Sequence, residues 1–243
     1  MTSKYKLICF DAGFTLIKPR QELVVSVATV MAQEGLALTE EALRRAWNIA
    51  NSWFWEEYHQ PGNAAWGSDD GIHTTWRQYH RLMFRELGIE DEGHRLADTL
   101  IASQFSSENW EPYPDVVPAL DALHSSTAKL AIISDWNSRL NDILDELGLA
   151  KYFDFLLVSG SAGVAKPSAE FYRMALSRAG VEPHDAIMIG DSYRADVLGA
   201  RAAGMDAVLL ARDGADDVGD VLVIRSLAEM VDLIADAGAS PRG

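Results

Sequence analysis

Ala186-Ile187-Met188-Ile189-Gly190-Asp191-Ser192-Tyr193-Arg194-Ala195-Asp196-Val197-Leu198-Gly199-Ala200-Arg201-Ala202-Ala203-Gly204 is the stretch whose reading decides the fold. A short apolar run ends at a glycine, two carboxylates follow, and a helix is expected over 193–203. A buried strand that hands over to a helix in this way is the repeating unit of a parallel α/β sheet. Polar side chains at such strand ends line the ligand crevice of an open doubly wound sheet.

The same unit recurs on both sides of this stretch. Strands are expected over 130–134, 153–159, 186–189, 207–210 and 221–224, and helices over 138–147, 168–179 and 226–237. Gly148 and Gly180 stand where two of these helices should stop, and Ser168 where one should be capped. The first strand, 5–10, belongs to this sheet by composition, yet its successor begins only at 130. The intervening 21–110 reads mainly as helices, over 23–33, 40–53 and 76–87, with a polar, glycine-containing stretch at 60–72. Five of the seven tryptophans lie there: Trp47, Trp53, Trp55, Trp66 and Trp76. Most are expected to pack inside the insertion, with one or two facing the crevice as an aromatic lid.

With 243 residues, 48% of them hydrophobic, the chain is long enough for a large core and an appended domain. A formal net charge of −15 disfavours nucleic acid and anionic membranes as partners. An anionic substrate would therefore need positive charge inside the site. No stretch has the roughly 20 consecutive apolar residues of a membrane span, and residues 1–6 run into a strand and not a signal peptide, so a cytoplasmic location is expected. The lone Cys9 sits inside the first apolar run and is expected in the core.

Four segments carry the chemistry. Asp11 follows Leu7-Ile8-Cys9-Phe10, with Gly13 allowing a turn and Thr15 four residues on; a carboxylate so placed can attack phosphorus. Ser134 ends a strand before Asp135, Lys166 precedes Pro167 and a helix, and Asp191 and Asp196 flank the junction quoted above. In this order and spacing the segments resemble the haloacid dehalogenase-like hydrolase superfamily, most of whose members are phosphatases. The resemblance implies a Rossmann-like α/β core from residues 1–17 and 111–243, and a helical cap from residues 18–110. It implies that Asp11 is the nucleophile and Lys166 its cationic partner. Thr15, Ser134 and Asp135 would contact substrate. Mg²⁺ would be held by Asp11, Asp191 and the backbone carbonyl of Gly13, with Asp196 one layer out or holding Lys166. Family members often carry Asn at the position of Asp135; the acid here orients its neighbours or faces the metal. The expected substrate is a small phosphorylated metabolite and the expected state a monomer or homodimer.

One position departs from the family pattern. Phosphatases of the superfamily usually carry a second aspartate two residues after the nucleophile, as general acid and base, and here that residue is Gly13, followed by Phe14. Such catalysis contributes typically ~10² to 10⁴-fold. Three explanations stay open: a substitute acid from the cap (Asp69, Asp70, His59 or His73) or a leaving group that needs no proton; another chemistry, such as metal-free dehalogenation with Arg44 or Arg45 cradling the anion; and a non-catalytic domain that binds a phosphorylated ligand or a protein. Asp191 argues against dehalogenation, because dehalogenases of the superfamily typically lack an acid there. The carbon–phosphorus hydrolases use a cap lysine, which 21–110 does not contain.

Overall fold

The computed structural model describes residues 3–60, 62, 64–214 and 219–239, with side chains to residue 234. In chain order the strands are β1 (Leu7–Phe10), β2 (Ile17–Pro19), β3 (Trp110–Pro112), β4 (Lys129–Ser134), β5 (Phe155–Val158), β6 (Ala186–Gly190), β7 (Asp206–Leu210) and β8 (Leu222–Ile224). Six of them form one parallel sheet in the order β5-β4-β1-β6-β7-β8. Because side chains alternate along a strand, Ile8 and Phe10 pack on one face of the sheet, and Leu7 and Cys9 on the other.

Helices cover both faces. Following α1 (Leu23–Gln33), α2 (Glu40–Tyr58), α3 (Asp69–Leu87) and α4 (Arg95–Gln104) come α5 (Val116–His124), α6 (Leu140–Glu146), the short α7 (Ser159–Ala162), α8 (Ala169–Ala179), α9 (Gly199–Ala202) and α10 (Leu227–Ala239). Residues of α5, α6 and α10 join Ile8 and Phe10 in one core; residues of α8 and α9 join Leu7 and Cys9 in the other. Both expected signals around α8 operate: Ser168 accepts from the Glu170 amide, and Gly180 takes the left-handed φ of 69° that ends the helix. No described helix is long and apolar enough to cross a membrane.

Helices α1–α4 lie between β1 and β4 in the chain and bury a core of their own around Met31, Leu43, Ala50, Tyr79 and Met83. An antiparallel pair, β2 with β3, joins the two ends of this insertion, pairing Ile17 with Pro112 and Pro19 with Trp110. Such three-residue strands carry too little pattern to be read from sequence.

Two helices differ from expectation mainly in length and one in type. The helix expected over 40–53 continues to Tyr58, and that expected over 76–87 begins at Asp69, where Ser68 accepts from the Gly71 amide. The last part of the supposed loop, 69–72, is therefore capped helix. The helix expected over 193–203 opens as a π-helical stretch, Tyr193–Leu198, before α9. Wide turns of this kind are frequent at functional sites.

Candidate active site

At the carboxyl ends of β1, β4 and β6 the sheet opens into a cavity of about 560 Å³, floored by the core and roofed by the insertion. Asp11 stands just past β1, held there by its amide, which donates to the Ile189 carbonyl at 2.9 Å. Lys166 reaches it from the loop before α8: Nζ donates to Asp11 Oδ1 and to Asp196 Oδ1, both at 2.6 Å. The lysine side chain is 2% exposed. Burial alone would push this ammonium toward neutrality, but the Asp11 and Asp196 carboxylates outweigh it and hold the group well above the ordinary lysine range.

Asp196 is placed by the π-helical turn. Its second oxygen accepts from the Ser192 amide at 2.9 Å, and it lies over Gly190 so closely that a Cβ there would collide with Oδ2. Glycine at the end of β6 is thus a requirement of this carboxylate. Asp191 keeps an open face toward the cavity, and its Oδ1 accepts from the Thr15 hydroxyl at 3.3 Å. Surrounding protein, then the charges of Asp11 and Asp196, push the Asp191 carboxyl up to about 8. One ammonium bonds two of these three carboxylates, so the floor holds more acidic groups than cations.

Hard oxygen donors with unneutralised charge suit Mg²⁺, which needs only one or two protein carboxylates and keeps several waters. Asp11, Gly13 and Asp191 all line the cavity. Among the described residues no three His, Cys, Asp or Glu side chains are grouped to hold a metal by themselves. The donor set fits an ion completed by water and substrate.

Of the residues expected to contact substrate, Ser134 and Asp135 line the cavity at the end of β4, and Thr15 is buried behind Asp191. Both Asp135 oxygens are engaged: Oδ1 accepts from the Lys166 amide at 3.0 Å, and Oδ2 from the Tyr58 hydroxyl of α2 at 2.9 Å. Burial pushes this carboxyl up to about 7. A second bond between insertion and core runs from Asp69, which accepts from the Ser138 amide at 2.8 Å and its hydroxyl at 2.5 Å.

The structure decides among the suggested substitute acids. Asp69 is committed to Ser138, Asp70 is exposed, and His73 pairs with Asp98 at 3.5 Å; only His59 lines the cavity. Arg44 pairs with Glu40 and Glu22, and neither it nor Arg45 lines the cavity.

Trp47, Trp53, Trp66 and Trp76 pack in the apolar clusters of the insertion, as expected, but more tryptophans face the cavity than the one or two expected. Trp47, Trp55, Trp66 and Trp76 all line the cavity, and Trp110 and Trp136 join them from outside the helices. Trp136 follows Asp135 directly and its role was not read from sequence. Its indole packs edge-on against Trp110, centroids 4.9 Å apart, and against Phe105 at 5.8 Å. A Cβ on residue 13 would lie 2.8 Å from Trp136 Cζ3. The indole occupies the space into which a side chain at position 13 would project. Phe14 holds a left-handed φ of 56°, a strained conformation for a bulky residue, and meets Trp110 edge-on at 6.1 Å.

Comparison with known proteins agrees with this architecture. The family model for haloacid dehalogenase-like hydrolases matches residues 5–204. The chain is 32% identical over 208 residues to haloacid dehalogenase-like hydrolase domain-containing protein 3 of Bos taurus, covering 85% of this chain and 82% of that protein. It is 32% identical over 164 residues to a phosphoserine phosphatase of Thermus thermophilus, covering 65% and 62% of the two chains. The solved structure described as HAD-hydrolase YfnB of Bacillus subtilis, bound to magnesium, superposes with a TM-score of 0.78 at 20% identity, covering 95% of this chain and 98% of that one. At that identity the likeness is one of fold.

Proposed function

The chain belongs to the haloacid dehalogenase-like hydrolase family, and from that premise we propose that it is a magnesium-dependent phosphatase of a small phosphorylated metabolite, working through an aspartyl-phosphate at Asp11. The observation that carries this is the Asp11–Lys166–Asp196 chain beside Asp191 on the cavity floor. Asp11 Oδ attacks phosphorus and the bond to the leaving oxygen breaks. Water then attacks the same phosphorus and the Asp11 oxygen departs, splitting one displacement into two. Lys166 holds the attacking carboxylate in one orientation and offsets charge on the transferring group, while Asp196 keeps the ammonium in place. The Ser134 hydroxyl, in the cavity lining, donates to a phosphoryl oxygen. Asp135, tied to Tyr58, fastens residues 18–110 over the floor as a cap that excludes water. Mg²⁺, held by Asp11, Asp191 and the Gly13 carbonyl, would supply charge neutralisation for the phosphoryl oxygens. The phosphatase relative supports this reading.

Hydrolysis of acetyl phosphate, measured with magnesium and again with a chelator, tests the proposal. Activity that needs the ion and disappears in Asp11→Asn, with the circular dichroism spectrum unchanged, is expected. Chloride release from 2-chloropropionate in chelator would overturn it in favour of a dehalogenase, and absence of both activities in favour of a binding domain.

A further inference from the structure

Two features of the cavity have no part in phosphoryl transfer itself. Its upper wall is built almost entirely from rings: Phe14, Phe54, Tyr58, Trp66, Trp76 and Trp110 surround the space above Asp11. Phe54 and Tyr58 lie parallel, centroids 6.3 Å apart, and Trp66 stands at right angles to both. Such surfaces receive planar apolar groups by offset or edge-on contact. Among the described lining residues Lys166 is the one lysine or arginine, and its ammonium is already held by Asp11 and Asp196. A second carboxylate or phosphate on the substrate would meet no free cation of that kind.

The second feature is the filled position beside Gly13. The Trp136 indole fills the space a proton-donating side chain at position 13 would take, and His59, the suggested acid that lines the cavity, is stacked on Trp55 with centroids 5.8 Å apart. An alkyl leaving group departs as an alkoxide about as basic as hydroxide, whose parent water has a pKa of ~15.7. A phenol ionises near ~10, as tyrosine does, so its oxygen can leave carrying its electron pair without being protonated first.

Taking the phosphatase reading of the same site as given, we propose that the preferred substrates are monophosphate esters of phenols and comparably acidic ring hydroxyls bearing no second anionic group. The ring stacks in the aromatic chamber, Asp11 Oδ bonds to phosphorus, and the phosphorus–oxygen bond to the ring breaks to release a phenolate. Water then bonds to phosphorus, the Asp11 oxygen leaves as carboxylate, and both water protons depart with the phosphate as H₂PO₄⁻, one of them neutralising the phenolate in solvent.

The test uses the wild-type protein with magnesium and three substrates: 1-naphthyl phosphate, 2-(1-naphthyl)ethyl phosphate, and acetyl phosphate, which needs neither a proton donor nor a ring site. The expected result is a kcat/KM for naphthyl phosphate at least about 100-fold above that for naphthylethyl phosphate, the scale of a missing general acid, and a KM at least about tenfold below that for acetyl phosphate, equivalent to ~1.4 kcal/mol. Naphthyl and naphthylethyl esters turned over within about threefold of each other would reveal a working proton donor and overturn the proposal. A KM for naphthyl phosphate no lower than that for acetyl phosphate would equally overturn it, by removing the ring site. In both cases the phosphatase reading survives. Failure to hydrolyse any of the three, acetyl phosphate included, brings down that reading and the proposal with it.

Discussion

Replacing Gly13 by alanine adds one methyl group where the structure leaves no room for it. The new carbon would lie 2.8 Å from Trp136 Cζ3, against about 3.5–4.0 Å for an ordinary carbon contact, so the indole must retreat by roughly 0.7–1.2 Å. Trp110 and Phe105 stand against that movement. Overpacking of this kind costs typically about 1–3 kcal/mol. The backbone adds no strain, since Gly13 is not among the glycines of positive φ, and the smaller entropy of the unfolded alanine chain returns about 0.4–1 kcal/mol. Trp136→Ala alone removes a half-buried ring and should cost at most about 3–5 kcal/mol. In the double variant the methyl group enters space the indole has vacated, so the combined loss should fall short of the sum by about 1–3 kcal/mol. Urea denaturation of the four proteins, in chelator so that metal binding does not enter, measures this coupling. Single effects that add within about 0.5 kcal/mol would show that the indole is not what fills position 13. The catalytic counterpart is Gly13→Asp with Trp136→Ala, which should raise turnover of alkyl phosphates more than that of aryl phosphates. Gly13→Asp alone should not.

Three further outcomes are expected. Lys166→Met leaves Asp11 and Asp196 buried without their cation and should cost about 3–5 kcal/mol in urea denaturation; a loss below about 1 kcal/mol would mean that the carboxylates find other partners. Asp135 has a folded-state pKa of about 7, above the ordinary carboxylate value of 3.8, so stability from its proton is fully present below pH ~4 and lost as pH rises toward ~7. Asp135→Asn should therefore match the wild type in stability near pH 4 and exceed it increasingly up to pH ~7, with a plateau above; a difference independent of pH would contradict this. Asp69→Ala removes both acceptors offered to Ser138 and should destabilise by about 1–3 kcal/mol. The Ser138 amide should then exchange hydrogen faster, and unchanged exchange would show that this bond does not hold the insertion down.

Much of the floor was legible because strands announce themselves locally. An apolar run of strand length followed by Asp11, Ser134 or Asp191 places each polar group at a carboxyl edge, whatever the rest of the chain does. Lys166 and Asp196 were legible through the resemblance to the family's order of segments, and in the structure Lys166 bonds both Asp11 and Asp196. The start of α3 escaped because Ser68 and Gly71 read as loop residues, although one caps the helix and the other donates to it. The cavity wall escaped for another reason. Which way Trp47 or Trp76 faces depends on how α2 and α3 rotate against each other and against the core, and amphipathic spacing fixes only which face is apolar.

By itself, then, the sequence determined the parallel sheet, the helical insertion after β1, and the polar groups that end the strands, since all of these follow from short-range periodicity and turn chemistry. Only the tertiary structure decided what stands opposite those groups. Gly13 and Trp136 lie far apart in the chain, yet one indole edge fills the space a side chain at position 13 would take. Tyr58 comes from a helix of the insertion to close on Asp135. Contacts between distant segments are set by close packing of whole elements, where a shift of one ångström is felt, and no local pattern records them.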